Sequence, residues 1–359
     1  TAAIKVAVKN VRSYHEAQMP ESMWMKELDT GVVAGEKTTA ITSVGLYVPR
    51  GKGSFPSVMI MLSVPAVIAG VERIQVVTPP TPEGLVDDAS LVAARLCGVK
   101  DVYKVGGAQA IAALAYGTES VPKTHKVIGP GNQYVSAAKR LLYGTLDVGT
   151  PAGPSESIVF CDEHADAEVA VNSLLIEAEH GPDSAALLVT HSRTIADQVK
   201  NLIPGLVETL PEPRRTFCQT GFSNFGGIVI TESLDASVNF INEYAPEHLQ
   251  VLVEDSMGML PRLKNAGEIL FGEHCPISLG NYTLGVNAIL PTGGFAHTFS
   301  CVSVFDFLKR SSFAFVNREG YEKLAGPTRT LAQFEGFPAH ARVIDFLDAR
   351  NAKRDAASK

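Results

Sequence analysis

Val102-Tyr103-Lys104-Val105-Gly106-Gly107-Ala108-Gln109-Ala110-Ile111-Ala112-Ala113-Leu114-Ala115-Tyr116 is the stretch on which the fold turns. Val102 to Val105 reads as a strand, Gly106-Gly107 breaks it, and Ala108 to Tyr116 is a run of helix formers. The same unit recurs on both sides. Upstream, Ile74 to Val77 is a strand ended by Pro79 and Pro80, and a helix around Asp87 to Leu96 closes at Gly98. Downstream, Lys126 to Ile128 leads into Gly129-Pro130-Gly131 and a helix from Gln133 to Tyr143. The second half repeats the theme. Ser157 to Phe160 pairs with a helix over Ala165 to His180, and Ala186 to Thr190 with one over Thr194 to Leu202. Gly227 to Ile230, Leu234 to Glu243 and Leu249 to Val253 read strand, helix, strand. Strands alternating with helices of this length predict parallel sheets built from βαβ units. The fold class is α/β: two Rossmann-like but incomplete parallel-sheet domains plus a helical C-terminal tail. The boundaries fall at 47–155, 156–304 and 305–359. The tail carries Gly326-Pro327 and Gly336-Phe337-Pro338, shows no strand signal, and needs something to dock on.

Composition narrows the function. Of 359 residues, 45% are hydrophobic, enough for sizeable cores. A net charge of −7 with no Lys/Arg stripe predicts no nucleic-acid partner. The longest apolar run, Val58 to Ala69, is interrupted by Ser63 and Pro65. It is well short of the roughly 20 residues of a membrane span, so no membrane partner is expected. Cys97, Cys161, Cys218, Cys275 and Cys301 are odd in number, scattered, and form no CxxC. They read as free thiols of a cytoplasmic protein. The chain begins at Thr1 without a signal-peptide pattern, so an organellar targeting segment, if any, is absent from it.

Five segments carry potential chemistry. The glycine turns at 106–107 and 129–131 sit where a strand hands over to a helix, and neither is GxGxxG. Each is a tight turn or a ligand contact, with Gln109 and Asn132 at the helix openings. Glu177 and His180 are three apart on one helix face, ended by Gly181-Pro182. That is either a metal-ligand pair or a surface Glu with a helix-terminal His. Glu247-His248 follows a helix and precedes a strand, and can supply a general base and a proton shuttle, or be an ordinary polar loop pair. Ser278 to Tyr282 is a glycine-containing loop with Asn281. Glu335 and His340 lie in the tail, where a lone His is ordinarily a surface residue.

Taken together, these segments resemble the histidinol dehydrogenase family over nearly the whole chain. The stretches that carry the likeness are GLYVP (45–49), VGGAQAIAALAYG (105–117), IGPGNQYVSAAKR (128–140), PAGPSE (151–156), AEHGPDS (178–184), YAPEHLQ (244–250), and Gly336 to His340 after LAGPT (324–328). The resemblance implies a homodimeric, NAD- and zinc-dependent alcohol dehydrogenase with shared active sites. NAD sits on the 47–155 side, while metal and catalysis sit on the 156–304 side. Residues 1–46 form a helical or extended segment joining the second Rossmann-like domain. The implied NAD contacts are Tyr47, Gln109 and Asn132, and the catalytic pair is Glu247 and His248. Substrate contacts fall on Ser155, His248 and Glu335. The zinc positions are Glu177, His180, Asn281 and His340, the last from the partner's tail, and they count as substrate-binding because zinc holds the substrate.

Two zinc positions depart from the family's Gln and Asp, becoming Glu177 and Asn281. The exchange is reciprocal, so the set keeps one carboxylate, one amide and two imidazoles. Ala288 replaces a substrate-side His, Arg50 replaces a Gly beside the cofactor loop, and the family's N-terminal helical region is largely missing. The implied reaction oxidises L-histidinol through the aldehyde to L-histidine, with two NAD, in histidine biosynthesis. His248 takes the alcohol proton and Glu247 activates the water that hydrates the aldehyde. Three rivals stand beside it: a paralogous dehydrogenase of another small polyol or amino alcohol, a zinc hydrolase with Glu247 as base, and a non-catalytic relative.

Overall fold

A computed structural model describes residues 1–50 and 53–358. Its first elements are α1 (Ala2–Ala17), β1 (Met23–Asp29), β2 (Val32–Ala40), β3 (Ser43–Tyr47), α2 (Pro56–Ile68), β4 (Arg73–Val77), α3 (Asp88–Cys97), β5 (Asp101–Tyr103), α4 (Gly107–Tyr116), β6 (Lys126–Ile128) and α5 (Gln133–Leu142). There follow β7 (Glu156–Cys161), α6 (Ala167–Ala178), β8 (Ala185–Thr190), α7 (Arg193–Glu208), α8 (Arg214–Asn224), β9 (Gly227–Ile230), α9 (Leu234–Tyr244), β10 (His248–Leu252), β11 (Glu268–Phe271) and α10 (Ile277–Tyr282). The chain ends with β12 (Leu308–Val316), α11 (Arg318–Phe334) and α12 (Pro338–Ala357). It divides into two compact units: Thr1–Met19 with Ala40–Leu308, and Pro20–Thr39 with Lys309–Lys359.

The larger unit holds two parallel sheets, ordered β5-β4-β3-β6 and β11-β10-β7-β8-β9. With each sheet's strands counted along the chain, the orders are 3-2-1-4 and 3-2-1-4-5, those of a Rossmann sheet lacking its last strands.

Side-chain alternation explains the layering. In β3, Val44 and Leu46 join α1, α2 and α3 in one apolar cluster. Tyr47 faces the other way, into a cluster with Ile111 and Leu114 of α4 and Val135 of α5. Val76 against Val77 and Ile128 against Val127 divide likewise. In the second sheet, Val159 and Cys161 face α6, α7 and α8, whereas Ile158 and Phe160 face α9. Both sheets are buried on both faces, which is why their strands are continuous apolar runs.

The apolar run 58–69 forms most of α2, with Met59 to Ala66 buried. Among the described residues no helix is long and apolar enough to cross a membrane. All five cysteines are free.

Besides residues 278–282, read as a loop but lying in α10, three features depart from the sequence reading. The tail contains a strand: β12 joins β1 and β2 in a three-stranded sheet of the smaller unit. Its residues, Leu-Lys-Arg-Ser-Ser-Phe-Ala-Phe-Val, are almost all exposed, so the one-sided alternation that marks a half-buried strand is missing. Secondly, α1 packs on α2 and α3, beside the first sheet rather than the second. Thirdly, β11 went unread because its four residues follow a long loop without a helix of their own.

Candidate active site

The second sheet gathers its polar side chains at the edge where its strands begin. Ser155 and Glu156 open β7, Glu247 and His248 open β10, and Glu268 opens β11. Helix α6 runs back from the opposite edge and delivers Glu177 and His180 to the same place. Ala245, in the left-handed region at φ 53°, ends α9 and turns the chain into Pro246-Glu247-His248. A non-glycine residue there costs on the order of 1–2 kcal/mol, which packing must offset, and Ala245 is completely buried.

Glu177 is the hub. Its carboxylate is fully buried, at 0% exposure. Oε1 accepts a 3.0 Å hydrogen bond from the Asn281 side-chain amide and lies 3.8 Å from His248 Nε2. Oε2 is 2.8 Å from His180 Nδ1, an ion-pair separation, yet has no hydrogen bond of its own. That His180 nitrogen also stands 3.0 Å from Ser155 Oγ. Glu247 Oε2 accepts from the Glu156 backbone N–H at 3.0 Å, and its Oε1 lies 3.8 Å from His248 Nε2. His248 Nδ1 sits 2.6 Å from Glu268 Oε1.

Charge sorts these groups. Burial pushes against ionised Glu177, but His248, His180 and the Asn281 amide outweigh it and hold the carboxyl at about 2. Burial raises Glu247 to about 8; Glu177 and Glu156 add to the rise while His248 opposes it. Burial disfavours the His248 cation, but Glu177, Glu247 and Glu268 outweigh it and raise the imidazole; a cation bound at Glu177 would oppose that rise and return the ring toward the neutral base. Two adjacent carboxyls are thus driven apart, one kept charged and the other ready to carry a proton near neutrality.

The donor set fits zinc. The Glu177 carboxylate, one oxygen of which has no hydrogen bond, is met by the His180 imidazole and the Asn281 amide, and N/O donors of this kind suit that ion. Glu335 and His340 belong to the smaller unit, at the C-cap of α11 and in the first turn of α12, and both are exposed. The His340 ring packs 5.2 Å from that of Phe337.

The other three expected residues lie where the strands of the first sheet end. Tyr47 closes β3, and its hydroxyl accepts the Gly107 N–H at 3.0 Å, which ties it to the glycine turn. Gln109 is exposed in the first turn of α4. Asn132 caps α5, Oδ1 accepting from Tyr134 and Val135 at 3.1 Å, which leaves its amide nitrogen outside the cap. Gly129, at φ 128°, approaches so closely that a Cβ would stand 2.2 Å from the Tyr47 carbonyl oxygen. These turns flank the switch point between β3 and β6, where a dinucleotide fits an open parallel sheet.

Two site residues were invisible in sequence. Glu156 is half-buried beside Ser155, accepts the Gly293 N–H at 2.7 Å, and lines a groove of about 310 Å³ with Ser155, Tyr244 and Thr292. Glu268 lies within an apolar strand, and only the strand register brings it to His248.

Comparison with known proteins matches nearly the whole chain to one family. A family profile for histidinol dehydrogenase matches residues 1–346. The histidinol dehydrogenase of Synechocystis sp. is 55% identical over 95% of this chain and 79% of its own length. A histidinol dehydrogenase homolog of Cereibacter sphaeroides is 53% identical, covering 96% and 78%. The crystal structure of histidinol dehydrogenase from Elizabethkingia anophelis superposes with a TM-score of 0.92 at 34% identity, over 98% of this chain and 80% of that one.

Proposed function

Because the chain belongs to the histidinol dehydrogenase family, we propose that the Glu177–Glu247–His248 cluster is where it oxidises its alcohol. The chain is an NAD-dependent, zinc-dependent oxidoreductase acting on CH–OH. The family reaction is the oxidation of histidinol in histidine biosynthesis. Two steps make it up. The alcohol and NAD⁺ give aldehyde, NADH and a proton; aldehyde, water and a second NAD⁺ then give carboxylate, NADH and two protons.

When bound, NAD accepts the hydride and zinc fixes the substrate against it. Glu177, His180 and Asn281, with His340 from the tail of a second copy, are the zinc ligands in this reading. Tyr47, Gln109 and Asn132 hold the dinucleotide, and Ser155 and Glu335 contact substrate. His248 takes the hydroxyl proton through Nε2, the nitrogen that faces Glu177 and Glu247. Glu247 takes the proton of the attacking water, and its raised affinity for a proton suits that task. The observation that carries the reading is the buried imidazole with one nitrogen engaged by Glu268 and the other open toward the ligand cluster. The homodimer and the cytoplasmic location are part of the proposal; the free cysteines suit a reducing compartment.

One observation favours a second substrate. Ala288 stands where the family has a substrate-side His, and it packs on an apolar cluster with no polar group to offer. Another small polyol or amino alcohol is the alternative. The test is NADH release from L-histidinol and a panel of small alcohols, with and without added zinc. Two NADH per histidinol supports the family substrate, whereas turnover of another alcohol alone transfers the activity to it. No NADH from any of them overturns the reading.

A further inference from the structure

His248 and Glu268 are the first residues of neighbouring parallel strands and are paired in register. Side chains at paired positions of a parallel sheet leave it on the same face. The Nδ1 to Oε1 separation is 2.6 Å, and the two residues are 3% and 8% exposed. Glu268 is the one acidic residue in an otherwise apolar strand, Glu-Ile-Leu-Phe. An apolar side chain there would avoid the desolvation of a charge. Space is also kept for the carboxylate: a Cβ on Gly280 would come within 2.9 and 3.0 Å of its two oxygens.

We propose that Glu268 is a positioning residue, which holds the His248 ring so that Nδ1 carries the proton and Nε2 presents its lone pair to the substrate. The inference rests on the reading of His248 as base. A neutral imidazole has two tautomers, and the bond made by one nitrogen decides the role of the other. With the proton on Nε2, the Nδ1 lone pair would confront a carboxylate oxygen at 2.6 Å in a buried site. Hence the ring keeps its proton on Nδ1, which donates to Glu268. Nε2 then lies 3.8 Å from both Glu177 Oε1 and Glu247 Oε1, on the side where the alcohol proton must arrive. Glu268 itself does not touch the reacting atoms. Its contribution is to spare the enzyme the selection of ring orientation and tautomer in each cycle.

The test uses zinc-loaded enzyme and NAD⁺ with the alcohol it turns over, and compares Glu268→Gln, Glu268→Asp and His248→Asn. A Gln amide can donate to Nδ1 and so select the wrong tautomer. Glu268→Gln is expected to lower kcat by about 10²–10⁴-fold, the range of general base catalysis, with KM and zinc content little changed. Glu268→Asp keeps the carboxylate and should recover part of the loss. Nitrogen-15 NMR of labelled histidine, with the His248 signal assigned by its disappearance in His248→Asn, reads the tautomer of the neutral ring directly. At a pH where the ring is neutral, a proton on Nδ1 alone is expected in the unmutated enzyme, and a proton on Nε2 alone overturns the proposal even if a variant fails to fold. Equal kcat losses in the Gln and Asp variants, or an unchanged kcat in Glu268→Gln while His248→Asn is inactive, also overturn it. An active His248→Asn enzyme instead removes the base reading on which it stands.

Discussion

The side-chain amide of Asn281 donates a 3.0 Å hydrogen bond to Oε1 of Glu177 across 104 residues of chain. This contact gives the reciprocal exchange a physical form. The carboxylate and the amide stand face to face, so either residue can carry the charge provided the other supplies the donor.

It follows that the two positions should be coupled. Glu177→Gln removes the carboxylate of the proposed zinc site, and zinc affinity should fall by at least about 10–100-fold, the loss usual even for an outer partner of a metal ligand. Asn281→Asp turns a hydrogen bond into two opposed carboxylates in a dry site and should destabilise the metal-free protein by at least about 1–3 kcal/mol. The double variant restores one carboxylate and one amide and should regain most of both. Chelator competition and thermal unfolding of the metal-free protein measure the two effects. Full zinc retention in Glu177→Gln would contradict the ligand assignment.

The two hydride steps should separate by mutation. Glu247→Gln should keep much of the alcohol-to-aldehyde step and lose the second, because only the aldehyde needs activated water. His248→Asn should impair both, each loss falling in the roughly 10²–10⁴-fold range of general base catalysis. NADH yield from alcohol, and separately from aldehyde, tells them apart. Aldehyde oxidation by Glu247→Gln at the unmutated rate would rule out its role.

Shared active sites predict complementation. Glu247→Gln and His340→Ala chains should each fail to oxidise the aldehyde when alone. In a mixed dimer one of the two sites takes Glu247 from one chain and His340 from the other, and so remains whole. An equimolar mixture should recover about a quarter of the unmutated aldehyde oxidation, given random pairing of a symmetric dimer. Confirmed heterodimers without activity would place both residues in the site of a single chain.

Lys139 gives a pH signature of the glycine turn. Burial, with Lys126 nearby, lowers its ammonium to about 8, and it donates to the Gly129 carbonyl at 3.1 Å. Between that value and the ordinary 10.5 of an unfolded lysine, the unfolded chain binds the extra proton. Stability should therefore rise with pH across this window, the burial cost being fully felt below about 8 and relieved above it. The size is on the order of 3 kcal/mol at most. Lys139→Met should flatten the rise. Urea titrations at pH 7.5 and 10, compared between the two proteins, check the sign, and parallel curves would refute it.

Much of this molecule was open to sequence reading because the alternation of periods was strong. Strands buried on both faces are short apolar runs, and the helices between them end at glycines such as Gly98 and Gly117. The residues proposed for metal binding and catalysis stood out because they lie next to chain breaks, His180 before Gly181-Pro182 and Glu247 after Ala245-Pro246. Glu268 and Glu156 were not, because their partners come from distant segments, through strand register for Glu268 and through the loop at Gly293 for Glu156, and no local pattern contains either relation. The strand at 308–316 was missed for the opposite reason. It packs so little of its surface that it leaves no periodic trace.

The use of opposite strand ends by the two sheets has an electrostatic consequence. In a parallel β/α layer, helices start at the edge where strands finish and stop at the edge where strands start. Helices α4 and α5 therefore present their N-termini beside Tyr47 and Asn132, while α6 and α9 bring their C-termini to Glu177, His180 and Glu247. With roughly half a charge of opposite sign at the two ends of a helix, the first edge favours anions and the second favours cations. The backbone alone thus favours an anion such as a pyrophosphate at one rim and a cation at the other, before any side chain is chosen.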